Sequence, residues 1–348
     1  MIFLNLLSKK LRLLFIADLF EMAGHNDTLT SGEVLYQWNF CVRQKRLIVM
    51  NFESVFKYEL LDWIDPEKLR GSHLSSNPNA IQFLEENPEM IDWSELSTNP
   101  NAIHLLKKNP SRINKRKLSQ NKNAIYLLDD LVERNPREVD WKRLCYNSNA
   151  MQMLEKNPEY IYWDNLSVNP DAIPLLERNP EKIHLHRLSE NPNAMHLLEK
   201  NPENIDWSYL SANPNASKLL AKNLEKIHWE TLSGNPGAVD ILEKNPERIY
   251  WCRLSMNHNA VQLLEKYPEK ISWGLLSLNP NAMHILEKNI DKINWSSLSE
   301  NPSIFKKKIN YEFLKKRMNI VREELMMKYL HPKRLEGWIK DGGNINNF

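Results

Sequence analysis

The 348-residue chain has only nine glycines and three cysteines, and its formal net charge is just +2. Each scarcity excludes something. Phosphate- and dinucleotide-cradling loops need clustered glycines, and no P-loop, Gly-x-Gly-x-x-Gly run or Gly-x-Ser-x-Gly elbow occurs. Asp341-Gly342-Gly343 reads as a helix stop and turn. Cys41, Cys145 and Cys252 lie far apart and form no Cys-x-x-Cys pair, which suits a reducing compartment rather than secretion. The 46 basic and 44 acidic residues nearly cancel, so the whole chain has no global attraction to nucleic acid or membrane. No apolar run reaches the ~18–20 residues of a spanning helix. The nearest, MIFLNLLSKKLRLLFIADLF, is broken by Lys9, Lys10, Arg12 and Asp18 and reads as an amphipathic helix rather than a cleaved signal.

Charge is unevenly spread. Residues 303–348 carry eleven Lys/Arg against five Asp/Glu and residues 1–57 carry seven against five, so 58–302 is net acidic by about six charges. What fills that central stretch is a repeat. Leu-x-x-Asn recurs at Leu74, Leu96, Leu118, Leu144, Leu166, Leu188, Leu210, Leu232, Leu254, Leu276 and Leu298, in steps of 22 residues except one of 26 between Leu118 and Leu144. The four extra residues fall in LLDDLVERN and are close to one helical turn, which predicts a longer helix rather than a broken array.

Each copy has two arms. In the first, Asn-Pro-Asn-Ala-Ile-x-Leu-Leu-Glu-Lys, a helix-capping residue stands two places after the first Asn: Asn79, Asn101, Asn123, Asn149, Asp171, Asn193, Asn215, Gly237, Asn259, Asn281 and Ser303. Apolar residues such as Ala194, Met195, Leu197 and Leu198 then follow helical spacing. In the second arm, Asn-Pro-Glu-x-Ile-x-Trp-x-x-Leu-Ser, proline opens a short 3₁₀ turn and Asp206 and its equivalents cap a short α-helix. Two such helices cannot bury their apolar faces alone, but stacked copies can. The fold class that follows is all-α: a right-handed α-solenoid of about eleven copies over residues 50–304, elongated, and ended by a helical cap over 305–348. The cap reading rests on Leu314, Met318, Val321 and Leu325, spaced as one helix face.

LSxNPNAIxLLEKNPEKIxW resembles the tandem repeat of proteins encoded by giant viruses of the Mimiviridae type, over roughly residues 58–304. The segments YELLDWIDPEKL and REELMMKYLHPKRLEGWIKDGGNINNF are similar to the flanks of that repeat. More distantly the unit is similar to leucine-rich-repeat-variant and HEAT-like solenoids. The chain departs from the pattern where Lys115 and Leu185 replace the Trp, Gly71 stands at that register, and Lys122, Ser148 and His258 replace the Pro. The resemblance implies a viral protein acting in the infected host cell's cytoplasm, with the viral factory or virion as further locations, and it carries no established chemistry with it. Residues 1–49 fall outside it, and Met50 stands where a family member would begin. That leaves two readings, an upstream extension of the reading frame or a small docking segment.

Two residue columns are assigned to structure. The asparagine of Asn-Pro (Asn77, Asn99, Asn121, Asn147, Asn169, Asn191, Asn213, Asn235, Asn257, Asn279, Asn301) is expected to form an internal ladder with backbone groups. The tryptophans (Trp93, Trp141, Trp163, Trp207, Trp229, Trp251, Trp273, Trp295) are expected in the inter-copy core, each N–H on a carbonyl. A stacking row for single-stranded nucleic acid would interleave them with basic residues, and the array is net acidic. Ten histidines include no His-x-x-x-His or Cys/His cluster, so no metal, cofactor or catalytic residue is assigned. Partner binding is left to the variable columns: His104, His196, Gln262 and His284 after Ala-Ile, and Arg116, Lys117, Lys142, Arg143 and Arg187 between Trp and Leu. These predict a monomeric, non-enzymatic scaffold for a host or viral protein. The alternative is nucleic-acid binding through the middle basic patch and the basic tail.

Overall fold

The computed structural model of the protein describes residues 56–316. The expected extension over 1–49, Met50, and the tail positions Met318, Val321 and Leu325 lie outside the described residues. Within them the chain is a helical repeat in which a short α-helix, a three-residue 3₁₀ turn and a second short α-helix alternate, as in Met195–Leu198, Pro202–Asn204 and Trp207–Leu210. Proline at the first position of the 3₁₀ turn needs no donor, and Asp206 accepts from the N–H groups of Ser208 and Tyr209 to start the next helix. The first-arm helix after Leu118 is Ile125–Arg134, ten residues against six in Ile103–Lys108, so the insertion lengthens one helix and leaves the array intact.

One expected cap is corrected. Asn193 does not cap its helix through its own side chain. The preceding Asn191 accepts from the Asn193 N–H (2.9 Å), and the freed Asn193 amide donates to Pro170 O of the copy before (2.9 Å). The same pair of bonds recurs at Asn101, whose N–H meets Asn99 Oδ1 and whose amide meets Pro78 O. Where the residue two places after the ladder asparagine is itself Asn, it is thus a tie between copies.

Copies are held by apolar burial and by three columns of hydrogen bonds. Leu188, Ala194 and Leu198 and their equivalents are fully buried. Asn191 Nδ2 donates to Ser167 O (3.0 Å) and Asn169 O (2.8 Å). The serine beside it forms the third column: Ser97 Oγ donates to Trp93 O (2.8 Å) and accepts from the Asn114 N–H of the next copy (2.9 Å). The ladder asparagines and the serines are buried and paired, and no buried side-chain N or O among the described residues lacks a partner.

The array has no free end. Asn77 Nδ2 donates to Ser299 O (3.0 Å) and Asn301 O (3.0 Å), Asn79 donates to Pro302 O (2.9 Å), and the Arg70 N–H donates to Ser299 Oγ (2.9 Å). The first copy therefore stacks on the last by the bonds that join neighbours elsewhere, and helix Trp295–Glu300 packs on Gly71–Ser76. The elongated array expected from the repeat is corrected: the compact unit Lys57–Lys308 closes on itself.

Closure uses two half copies. The last copy supplies Leu298 to Ile304, but a strand, β2 (Phe305–Ile309), stands where its first-arm helix would be. It pairs with β1 (Phe56–Leu60). The Leu61 N–H donates to Ile304 O (2.9 Å), Lys306 pairs with Asp62 (2.7 Å) and Lys308 with Glu59, so the strands run antiparallel. The 3₁₀ turn Pro66–Lys68 then completes the second arm, and Lys68 lies over the Trp295 ring at 5.0 Å. This corrects the helical reading of the start of 305–348, of which residues 311–316 are helical.

Candidate functional site

The closest copy-to-copy packing is between second-arm helices, such as Gly71–Ser76 on Trp93–Leu96 and Trp251–Met256 on Trp273–Leu276. In a closed array the row with the shorter spacing is the inner one. The expected partner-binding residues therefore divide. Arg116, Lys117, Lys142, Arg143 and Arg187 stand on the inner row, whereas His104, His196, Gln262 and His284 stand on the outer row.

Most of these side chains are already engaged. His104 meets Glu85 (2.8 Å), His196 meets Glu177 (3.1 Å) and His284 meets Glu265 (2.8 Å), each in the preceding copy. Lys117 pairs with Glu95 and Arg143 with Asp140 (3.4 Å). Arg187 donates to Tyr146 Oη (3.0 Å) and Glu190 (3.3 Å) and lies over the Tyr209 ring at 4.8 Å. Gln262, Arg116 and Lys142 are exposed.

The tryptophans are covered rather than sealed in. Trp141 is buried and donates to Pro136 O (2.8 Å), but the others are half-buried. Arg112 lies over Trp93 (5.1 Å), Lys182 over Trp163 (4.8 Å), Lys226 over Trp207 (4.7 Å), Arg248 over Trp229 (5.0 Å) and Lys292 over Trp273 (4.7 Å). Each cation comes from the 3₁₀ turn of the next copy, and each contact is a cation–π pair. Where Lys115 replaces the Trp, the residue at the covering position is Glu138, and the two form an ion pair. Sequence reading missed this column, although the Lys/Arg nineteen residues after each of these tryptophans, and the switch to Glu beside Lys115, were available signals.

One place breaks the regularity. Asn147 holds Ser119 O and Asn121 O at 3.2 Å each, at the long end of the range the ladder spans. The next rung, Asn169, keeps the bond to Cys145 O (2.8 Å), and its second contact is Met151 Sδ at 3.9 Å instead of a carbonyl. Cys145 stands in the serine column, and its larger, weaker acceptor takes the Tyr162 N–H at 3.4 Å. Burial pushes the Cys145 thiol up to about 11. At this interrupted joint lies a cavity of about 380 Å³, lined by Lys122, Lys142, Arg143, Tyr146, Asn147 and Asn165 among others. With its amide turned to satisfy its neighbours, Asn165 donates to both oxygens of Asp164 (2.9 and 3.1 Å) and accepts from Tyr146 Oη (2.9 Å).

Among the described residues no group of three His, Cys, Asp or Glu could hold a metal ion, and no helix is long and apolar enough to cross a membrane. Compared with protein-family models, curated proteins and solved structures, the chain matches none.

Proposed function

We propose that the protein is a non-catalytic, monomeric protein-binding scaffold: a closed right-handed ring of eleven copies with a composite eleventh. At the ~8–10 Å spacing of packed helices, such a ring would measure roughly 30 Å across at its inner helix axes. Its partner is a host or viral protein in the cytoplasm of a cell infected by a giant virus, and it binds at the irregular joint on the inner row. The observation that carries this reading is the disposition of the cations. Nucleic acid needs a track of free Lys/Arg along its backbone, whereas here the array spends cations on tryptophans and on carboxylates of neighbouring copies. The free cations of the expected basic patch, Arg116 and Lys142, are too few for such a track.

Affinity capture from infected cells, with wild-type chain and Lys142→Glu side by side, tests the reading. The same protein should be retained by the wild type and lost by the variant, at unchanged thermal stability. Binding of RNA or DNA whose logarithm falls steeply with the logarithm of salt concentration would instead establish the nucleic-acid alternative.

A further inference from the structure

We propose that the cleft beside Asn147 recognises a phosphorylated side chain of the partner polypeptide, with Lys122 and Lys142 supplying the charge. The inference rests on the scaffold reading above and adds the chemistry of the ligand.

Three observations converge on this cleft. First, three departures from the repeat pattern gather around it: Lys122 and Ser148 for Pro, and Cys145 for Ser. Lys122 itself lines the cavity, and Cys145 adjoins the lining residue Tyr146. Second, the ladder is interrupted beside it, because Asn169 lacks the second carbonyl bond that the other ladder asparagines make. Third, the charges around it are unequally used. Arg143 is tied to Asp140 at 3.4 Å and Asp164 is turned into the Asn165 amide, while Lys122 and Lys142 are exposed and make no ion pair among the described residues.

Two free ammonium groups match the charge of about −1.5 to −2 on a phosphomonoester at neutral pH. A lone carboxylate would satisfy only one. Arg143 has five N–H donors and leaves most of them for a ligand oxygen. The cavity of about 380 Å³ holds a phosphate together with the side chain that carries it. Tyr146, 43% exposed, offers an apolar ring as one wall.

Isothermal titration of the full chain with phosphotyrosine amide, phosphoserine amide, their unphosphorylated counterparts and inorganic phosphate tests the assignment without needing a partner sequence. At least one phosphorylated amide should bind saturably, with affinity about tenfold or more above its unphosphorylated counterpart, and inorganic phosphate should compete. The Lys122→Ala/Lys142→Ala protein should lose that preference at unchanged melting temperature. Equal binding of phosphorylated and unphosphorylated amides, absence of binding, or a preference that survives the double substitution would each overturn it. So would tight single-stranded RNA binding abolished by the same substitutions. If the amides show no preference while Lys142→Glu still abolishes capture of a protein from infected cells, the phosphate assignment falls and the scaffold reading stands.

Discussion

Asn191 does three jobs with one amide. Its Nδ2 holds two carbonyls of the copy before, and its Oδ1 receives the Asn193 N–H. Replacement by alanine leaves buried carbonyls without a donor, so Asn191→Ala should cost about 1–3 kcal/mol. Urea unfolding would read this directly, and an unchanged midpoint would remove the ladder from the account of stability. Cys145 makes an opposite case. Its thiol, pushed up to about 11 by burial, carries almost no thiolate at pH 8. Peptide mapping after brief alkylation of the folded protein should find exposed Cys252 labelled and Cys145 spared, with both labelled in denaturant.

At the scale of elements, the 3₁₀ turns are couplers: six of them place a Lys or Arg over the tryptophan of the copy before, and one places Tyr160 on Trp141. The Lys115–Glu138 ion pair is the same coupler with its chemistry exchanged. Lys115→Trp alone would set a carboxylate against a ring face, whereas Lys115→Trp with Glu138→Lys would restore the common form. A double-mutant cycle should yield a coupling of about 0.5–1 kcal/mol between the two changes, and additive effects would show the contacts to be incidental. The β1–β2 clasp has a different signature. The Lys308 and Lys57 ammonium groups hold the Glu59 carboxyl at about 2, below its ordinary 4.5, and Lys306 lowers Asp62 as well. A depressed carboxyl stabilises the fold above its unfolded value and stops doing so as pH falls through the folded one. The contribution is thus complete above about pH 4.5 and fades toward about pH 2. Lys308→Ala should flatten the melting temperature over that window, more visibly at low salt because the pair is exposed. The helices and turns were legible because their signals are local: Asn-Pro punctuation, Asp206 before a tryptophan, leucines at helical spacing. The clasp was not, because its side-chain partners Asp62 and Lys306 lie 244 residues apart and no local signal pairs FKYEL with FKKKI. The nearest hint was arithmetic, since Asp65-Pro66-Glu67-Lys68 is a second arm without a first, and Ser303 opens a first arm without its helix.

For the whole unit, closure changes how stability is distributed. In an open array the terminal copies have one neighbour each and fray. Here the copy at Leu74 is bonded on both sides, by Asn99 to its carbonyls and by its own Asn77 to the last copy. Amide exchange in Gly71–Ser76 and Trp295–Glu300 should therefore be as slow as in Trp207–Leu210, and fast exchange at those two helices would mean that the ring opens readily in solution. The cleft was half legible. Lys142 and Arg143 are visible in sequence as a basic patch, but the ladder bond missing at Asn169 beside them is a matter of three-dimensional geometry, which no spacing rule encodes.

The clasp also sets an order of events during synthesis. Asp62 must wait for Lys306, which lies 244 residues later in the chain. At ~5–20 residues per second that is a delay of roughly 10–50 s. For all that time a ribosome-bound chain presents β1 as an unpaired edge and Asn77 without its acceptors. Such an edge accepts any matching strand, including the β2 of another copy completed nearby. Crowded polysomes would then favour chains linked by exchanged clasps, while slow or sparse translation would favour single rings.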